Sequence, residues 1–509
     1  MHFASLSLFL ISAQLLTTTN AANILGIFAF PVKGQYSFVE PLLKELAQRG
    51  HHVTSITNYP HSEPVENFRD IAIEGNQHLF DEFKNFSMET IEPNHFDVVG
   101  AFYSKTYKMS HNIFANENVR KLRQRESFDL IIMDVLFTES FFGFGEEFGA
   151  PMVAISSWGT MTSVDELVGN TTPLSYIPNM IMLRHYNQNM NFWRRFLNVV
   201  VYILDWIHYY YTYMPMQQKI YDQHFPNASK SITEAQKNFS LVLVNDHFVL
   251  STPRPYVPNM IEVAGMHIPS QVEPLAEDIK EILDKAQQGI IYITINSFLP
   301  QHIFQMVLNV LGNFERLVLW NTQYHVLHTL QIPPNVYFST NVSHYTMLSL
   351  PNIHLLITHG EYLRIVESIH YGVPILSLPR FDGFNEDCVD NIRKIGNGIS
   401  LSWNQMRERT LSKALNDLLA TDRYRREAKL KSKQFRDQQN TPLERAIYWI
   451  EYVLRFQGAH HLRNLGQNLT IWEFYNLDVF LCLSLAVLVC ICLSYIFLNL
   501  MLKLIVNIK

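Results

Sequence analysis

The residues best suited to chemistry sit in one short turn. An apolar run at 355–357 is followed by Thr358-His359-Gly360, and apolar residues then recur at Leu363, Val366 and Ile369. That pattern predicts a buried strand, a tight turn and an amphipathic helix. Such a turn lies at a helix N-terminus, where unpaired backbone N–H groups and the positive end of the helix dipole favour an anion, a diphosphate being the usual guest. Gly372-Val373-Pro374 stops the helix, and 375–378 predicts the next buried strand, closed by Pro379.

The same pattern opens the chain. Residues 24–30 predict a strand, 31–35 a turn, and 39–48 a helix with Leu42, Leu43 and Leu46 on its apolar face; Arg49-Gly50-His51-His52-Val53-Thr54 then begins another strand. This is the βαβ start of a doubly wound sheet, whose first turn lies at the carboxyl edge where ligands bind. Strands are expected at 128–133, with Asp134 just past the end, and at 151–156, 241–244 and 261–267. An acid-rich polar stretch then precedes a second strand-first series at 290–295, 317–319, 336–338, 355–357 and 375–378, with helices at 411–419, 422–435 and 443–452. The expected fold is α/β, with two doubly wound units at 22–268 and 289–440, a linker at 269–288 and a helix-bearing segment at 441–470. Residues 173–216 are rich in Tyr, Trp, Met and Asn. They read either as helices roofing the core or as the lining of a pocket that also touches a bilayer.

With 509 residues, 48% hydrophobic and 17% charged, the chain can bury two cores. A net charge of −6 without Lys/Arg blocks argues against nucleic acid as a partner. The apolar stretch 3–16 is too short to span a bilayer and precedes small residues, so 1–21 reads as a secretory signal. Residues 479–502 contain no charge, and at a rise of about 1.5 Å per residue they reach across the roughly 30 Å of a hydrocarbon core. They predict a transmembrane helix with Trp472 and Tyr475 at the interface and a tail at 503–509. Cys482, Cys490 and Cys492 fall inside it, leaving Cys388 alone in the preceding region, which therefore has no internal disulfide. Asn85, Asn170, Asn227, Asn238, Asn341 and Asn468 each begin an Asn-X-Ser/Thr sequon, as suits a secretory-pathway chain.

The run 355–391, the Arg-Gly-His turn within 42–54 and the stretch Gly458-Ala459-His460-His461-Leu462-Arg463 together resemble the UDP-glycosyltransferases in their insect, membrane-anchored form, over nearly the whole chain. The resemblance implies two Rossmann-like domains facing across a cleft, the GT-B arrangement, with the segment 441–470 packing back across both and continuing as the juxtamembrane stretch, anchored by the C-terminal helix. It implies transfer of a hexosyl group of glucose or glucuronic acid type from a UDP-sugar, as co-substrate, to a small lipophilic acceptor, with inversion and without metal or other cofactor. It further implies a single-pass type I protein of the endoplasmic reticulum membrane with a luminal catalytic region; self-association stays open. In the family, the region matching 173–216 contributes to acceptor binding. By position, His359 and Gly360 would contact the diphosphate, Glu367 the ribose hydroxyls, and Asp134 would orient a catalytic histidine.

That histidine position holds Gln35, and glutamine has no titratable nitrogen, so it can hydrogen-bond an acceptor but not deprotonate it. Losing a general base costs about 10²- to 10⁴-fold, less for an amine that is already nucleophilic. On the donor side, Asn341 stands at the tryptophan that stacks on uracil, His344 at the neighbouring glutamine, Glu361 at the second glycine, and Arg364 at the small polar phosphate contact. The family's Asp-Gln pair falls within 382–385, leaving Asp382 as its carboxylate, and Asn296 replaces a loop glycine. A Glu361 charge about 5 Å from a phosphate would repel it by roughly 3 kcal/mol at an effective dielectric near 20, offset in part if Arg364 pairs with Glu361 or with the phosphate. The expected nucleotide affinity is weak or altered. The alternative function is a catalytically impaired member that binds a lipophile or a partner protein.

Overall fold

The computed structural model describes residues 21–28, 30–79, 95–179, 189–295, 301–322, 330–340, 342–379, 392, 394–401 and 406–507. Short apolar runs, each returned to the same edge by a helix, assemble into two parallel sheets. The first contains β1 (Asn23–Phe28), β2 (His52–Thr57), β3 (Phe68–Ala72), β4 (Leu130–Asp134), β5 (Met152–Ser156), β6 (Phe239–Val244) and β7 (Met260–Glu262), in the order β3-β2-β1-β4-β5-β6-β7. The second contains β8 (Ile290–Ile293), β9 (Leu317–Asn321), β10 (Val336–Ser339), β11 (Ile353–Thr358), β12 (Ile375–Ser377) and β13 (Gly398–Ser400), in the order β10-β9-β8-β11-β12-β13. Every residue of β4, β5, β6 and β8 is buried, as helices on both faces of a parallel sheet require. The strand order reverses between β1 and β4 and between β8 and β11, so each sheet has a crevice at its carboxyl edge.

The helices that bear on the site are α1 (Lys33–Gln48), α2 (Phe192–His208), α3 (Tyr362–Tyr371), α4 (Pro442–Arg455) and α5 (Leu477–Asn507). Helix α3 ends at Gly372, whose φ of 69° is the left-handed conformation that closes a helix. Helix α4 begins with a capping box formed by Thr441 and Glu444. Its Ala446, Ile447, Ile450 and Val453 enter the same core as Leu42, Leu43 and Leu46 of α1. The end of the chain thus completes the first unit. The segment after α4 is tied there too: Arg463 donates to the Asn238 carbonyl (3.0 Å), Asn464 Nδ2 to that of Gly169 (2.9 Å), and Gln467 Nε2 to that of Leu167. In α5, Leu477–Lys503 is long and apolar enough to cross a membrane, with no part buried in the protein.

Two strands are additions to the sequence reading. β3 is an edge strand with one buried residue, and β13 has only three residues, so neither shows a clear apolar run. The strand expected at 261–267 stops at Glu262, because Gly265 takes φ 89° and turns the chain; Val263 and Met266 then enter the first core, Ala264 and Ile268 the second. The strand expected at 128–133 begins at Leu130 and includes Asp134 as its last residue. Within 269–288, Glu277–Leu283 is a helix whose Ile279 and Leu283 pack in the second core. Residues 1–20 of the proposed signal, Cys388 and residues 382–385 lie outside the described residues.

Candidate functional site

The two crevices face one another across a cavity of about 740 Å³. The first unit supplies the turn after β1 with the start of α1, the segments after β4 and β5, and Tyr202, Asp205 and Trp206 of α2; the second unit supplies His344 and Glu361 to Arg364 at the start of α3. Helix α2, from the region read either as a roof over the core or as a pocket lining against a bilayer, takes part in lining the cavity. Its inner face lines the cavity, while Phe192, Trp193, Phe196 and Ile203 stand exposed on the outside. Leu363 of α3 crosses the seam to pack against the first core.

Gln35 lies in the first turn of α1 with its side chain only 6% exposed, and neither Nε2 nor Oε1 has a hydrogen-bond partner. Asp134 does not serve it. Its Oδ1 accepts from the Leu136 N–H (2.9 Å) and its Oδ2 from the Ser157 hydroxyl (2.8 Å), and burial pushes its carboxyl up to about 6 against those two bonds. Ser157, not Asp134, lines the cavity.

On the second sheet, the turn after β11 forms as its residues predict. The His359 ring is buried, with Nδ1 donating to the Leu378 carbonyl (3.1 Å). Gly360 has φ 83°, and a Cβ there would strike the Ser377 hydroxyl, so only glycine fits. Glu361 occupies the N-cap of α3 and accepts from the Thr358 hydroxyl (2.6 Å), which sets a carboxylate where an anion would bind.

Of the two partners considered for Arg364, Glu361 or a phosphate, Glu361 is not the one its guanidinium hydrogen-bonds. It reaches one turn inward to Glu367 Oε2 at 2.7 Å, because that carboxylate is 1% exposed and a buried charge demands a counter-ion. His344 Nε2 donates to the same oxygen at 2.7 Å, while its Nδ1 accepts from the Tyr292 hydroxyl at 3.3 Å. His267 Nε2, from the first unit, stands 3.4 Å from Oε1. Burial alone would raise the Glu367 carboxyl, but Arg364, His344 and His267 outweigh it and hold the group well below the carboxylate range. Burial and the Arg364 charge lower His344. The carboxylate expected to take ribose hydroxyls is thus already engaged by three side chains.

Sequence reasoning singled out Gln35, His359, Glu361, Arg364 and Glu367 and missed His267. It also missed the carboxylates on the cavity wall, Glu139, Glu166, Asp205 and Asp246, for which the sequence offers no shared signal: Asp205 stands between Leu204 and Trp206, whereas Glu166 follows Asp165. Among the sequons, Asn227 and Asn468 are exposed, Asn238 is partly so, and Asn85 and Asn341 lie outside the described residues. Asn170 is buried, and its Nδ2 donates to Asp165 (2.8 Å), so it is no glycan acceptor in this fold.

Comparison with known proteins agrees with this architecture. The family described as UDP-glucoronosyl and UDP-glucosyl transferase matches residues 35–509. UDP-glycosyltransferase UGT4 of Dactylopius coccus is 28% identical over 516 aligned residues, covering 98% of this chain and 99% of its own. UDP-glucuronosyltransferase 2A2 of Mus musculus is 25% identical over 484, covering 89% of each. The calicheamicin glycosyltransferase CalG4 superposes with a TM-score of 0.56 over 86% of this chain and 99% of its own; at 14% identity this bears on the fold alone, which is GT-B. From the extent of the family match, the chain belongs to the UDP-glucuronosyl and UDP-glucosyl transferases.

Proposed function

We propose that the protein moves a hexosyl group of glucose or glucuronic acid type from a UDP-sugar to a small lipophilic acceptor, with inversion and without a metal. The observation that carries this reading is the cavity itself, walled by Phe137, Trp158 and Trp206 on the first unit and closed by the N-terminal end of α3 on the second. An acceptor held by the apolar wall would attack the anomeric carbon as UDP leaves, with the helix N-terminus stabilising the departing diphosphate. His359 and Gly360 would face the diphosphate, Glu367 the ribose and Asp382 the sugar hydroxyls. Gln35 would orient the acceptor through its amide, so that the rate depends on the acceptor's own nucleophilicity. Helix α5, together with the exposed outer face of α2, supports a single-pass anchor with the catalytic units against the luminal face of the endoplasmic reticulum membrane, where lipophilic compounds would be conjugated for detoxification. The test is mass spectrometry of the full chain in detergent, incubated with UDP-glucose or UDP-glucuronic acid and a panel of phenols and amines. A conjugate is expected, and none across the panel defeats the reading.

A second reading, a member that binds a lipophile without transferring sugar, is favoured by the engagement of Glu367 with Arg364 and His344 and by Gln35. Tight UDP binding in calorimetry would count against it.

A further inference from the structure

The amino edge of the second sheet, opposite the cavity, gathers cations around one imidazole. His354 is the second residue of β11, and the Thr358 end of that strand, which leads into the Gly360 turn, lies four residues on, about 13 Å away at the rise of a strand. The ring covers Gly289, just before β8, where a Cβ would strike it. Arg316, just before β9, reaches the ring from one side: its Nη1 donates to the Gln288 carbonyl (2.5 Å) and to His354 Nδ1, and its Nη2 to the Leu419 carbonyl (3.5 Å). On the other side, Arg425 Nη1 stands 3.4 Å from His354 Nε2. Arg425 and Lys429 belong to the helix Asp422–Arg436, whose four arginines and three lysines outnumber its one aspartate and one glutamate. None of these cations has an ion pair among the described residues, and Glu315, next to Arg316, accepts from Gln288 Nε2 instead (2.5 Å).

The hydrogen bonds at the ring do not balance. A neutral imidazole has one N–H and one acceptor nitrogen. Burial, then the Arg316, Arg425 and Lys429 charges, push His354 down to about 4, so the ring is neutral near pH 7. With Nδ1 accepting from Arg316, the proton sits on Nε2, and Arg425 presents a donor to a donor. An acceptor placed between them turns that clash into two bonds. A negative acceptor also supplies the charge missing beside three cations, where burial and Arg425 already lower Arg316. Arginine binds phosphate oxygens through directional, charge-assisted N–H···O bonds, so an oxyanion is the fitting guest.

We propose that this cluster is a binding site for a phosphate-type oxyanion, with His354 Nε2–H, Arg425 and Lys429 as donors and Arg316 fixing the tautomer of the ring. The site is separate from the cavity and does not depend on the transferase reading. The helix carrying Arg425 and Lys429 backs α3: Lys429 and Ser432 close on Gly372, and the Ser432 hydroxyl donates to the His370 carbonyl (2.5 Å). A bound oxyanion would therefore tie the starts of β9 and β11 to the element that supports α3 from behind, and would stabilise the second unit by mass action.

The test is thermal unfolding of the full chain in detergent near pH 7, in inorganic phosphate or in sodium chloride at matched ionic strength. At phosphate tenfold above its dissociation constant, the folded-to-unfolded ratio rises about elevenfold, which lifts the midpoint by about 3–5 °C. Arg425→Gln and Lys429→Gln should each remove at least about half of that gain. A general effect of phosphate on the surface, or its binding at the Gly360 turn, would survive both substitutions. In chloride, Arg425→Gln should melt no lower than wild type, since it removes a like charge from beside Arg316 and a mismatched donor from His354. A second arm replaces phosphate with phosphatidic acid in the micelles, phosphatidylcholine being the blank, and so separates a lipid headgroup from the free ion. A gain from either form that the substitutions cut supports the site and names its source. No gain from either, a gain that both substitutions leave intact, or an Arg425→Gln chain that melts lower in chloride overturns the proposal; the wild-type comparison requires no variant to fold.

Discussion

Replacing Glu361 with glutamine isolates the charge at the mouth of α3. Glu361 is the N-cap residue of that helix, though its side chain makes no capping bond, and its carboxylate accepts from the Thr358 hydroxyl at 2.6 Å; the glutamine amide oxygen can accept the same bond, so the local contact is preserved while the charge is removed. A phosphate bound over the Gly360 turn would lie about 5 Å away, where Coulomb repulsion is roughly 3 kcal/mol at an effective dielectric near 20 and about 0.8 kcal/mol at the dielectric of water. Those limits correspond to about 150-fold and 4-fold in affinity. Glu361 is half-buried, so Glu361→Gln should tighten UDP by about ten- to thirtyfold. The assay is calorimetric titration of the full chain in detergent with UDP and, in parallel, uridine. Uridine lacks phosphates, and its affinity should not change. Raising the salt to about 0.5 M should shrink the UDP effect, because the Debye length falls to a few ångströms. An unchanged UDP affinity, an equal gain for uridine, or continued absence of binding in the variant would refute the electrostatic argument.

Asp134 provides a pH test. Its folded carboxyl, at about 6, lies above the open-chain value of 3.8, so between about pH 4 and 6 the folded state holds a proton that the unfolded chain has lost. That favours the folded state below the window and is lost as pH rises through it; Asp134→Asn should therefore raise stability by about 1–3 kcal/mol at pH 7.5 and leave it unchanged near pH 4, as read from thermal unfolding across pH. A variant less stable than wild type at pH 7.5 contradicts this. Gly360→Ala should cost about 2–4 kcal/mol in urea unfolding, with Ser377→Gly in the same chain recovering the steric part but not the left-handed backbone cost of about 1 kcal/mol. An unshifted midpoint would mean that the turn relaxes freely. If the chain passes through the secretory pathway, peptide mapping after enzymatic deglycosylation in heavy-oxygen water should mark Asn227 or Asn468 and not Asn170; a mark at Asn170 contradicts its buried bond to Asp165.

Most of the architecture was legible because parallel strands buried on both faces read as plain apolar runs, and those runs line up with the observed strands from β1 to β12 except at β3, which has none, and at β7, which shares only Ile261 and Glu262 with the expected run. Strands β3 and β13 were not legible for the opposite reason. Phe68–Ala72 exposes most of its side chains at a sheet edge, and Gly398–Ser400 is too short to show a period. At the site, the Thr358-His359-Gly360 turn was readable because its geometry is local. The Glu367 cluster was not, since His267, His344 and Arg364 converge from three separate segments and only the folded seam brings them together. The cavity carboxylates were hidden in the same way. An isolated Glu139 or Asp205 carries no local sign of whether a cation will stand beside it.

Helix α4 and the Arg463, Asn464 and Gln467 bonds fasten the approach to α5 onto the first unit. The apolar tether is thus joined to the first unit by packing and hydrogen bonds rather than to the second. If the cleft were to gape, those ties would leave the swing to the half carrying His359 and Glu367, and the first unit's wall of the cavity would keep its height above whatever surface α5 enters. A hydrophobic compound arriving along that surface would then meet that wall at an unchanging level.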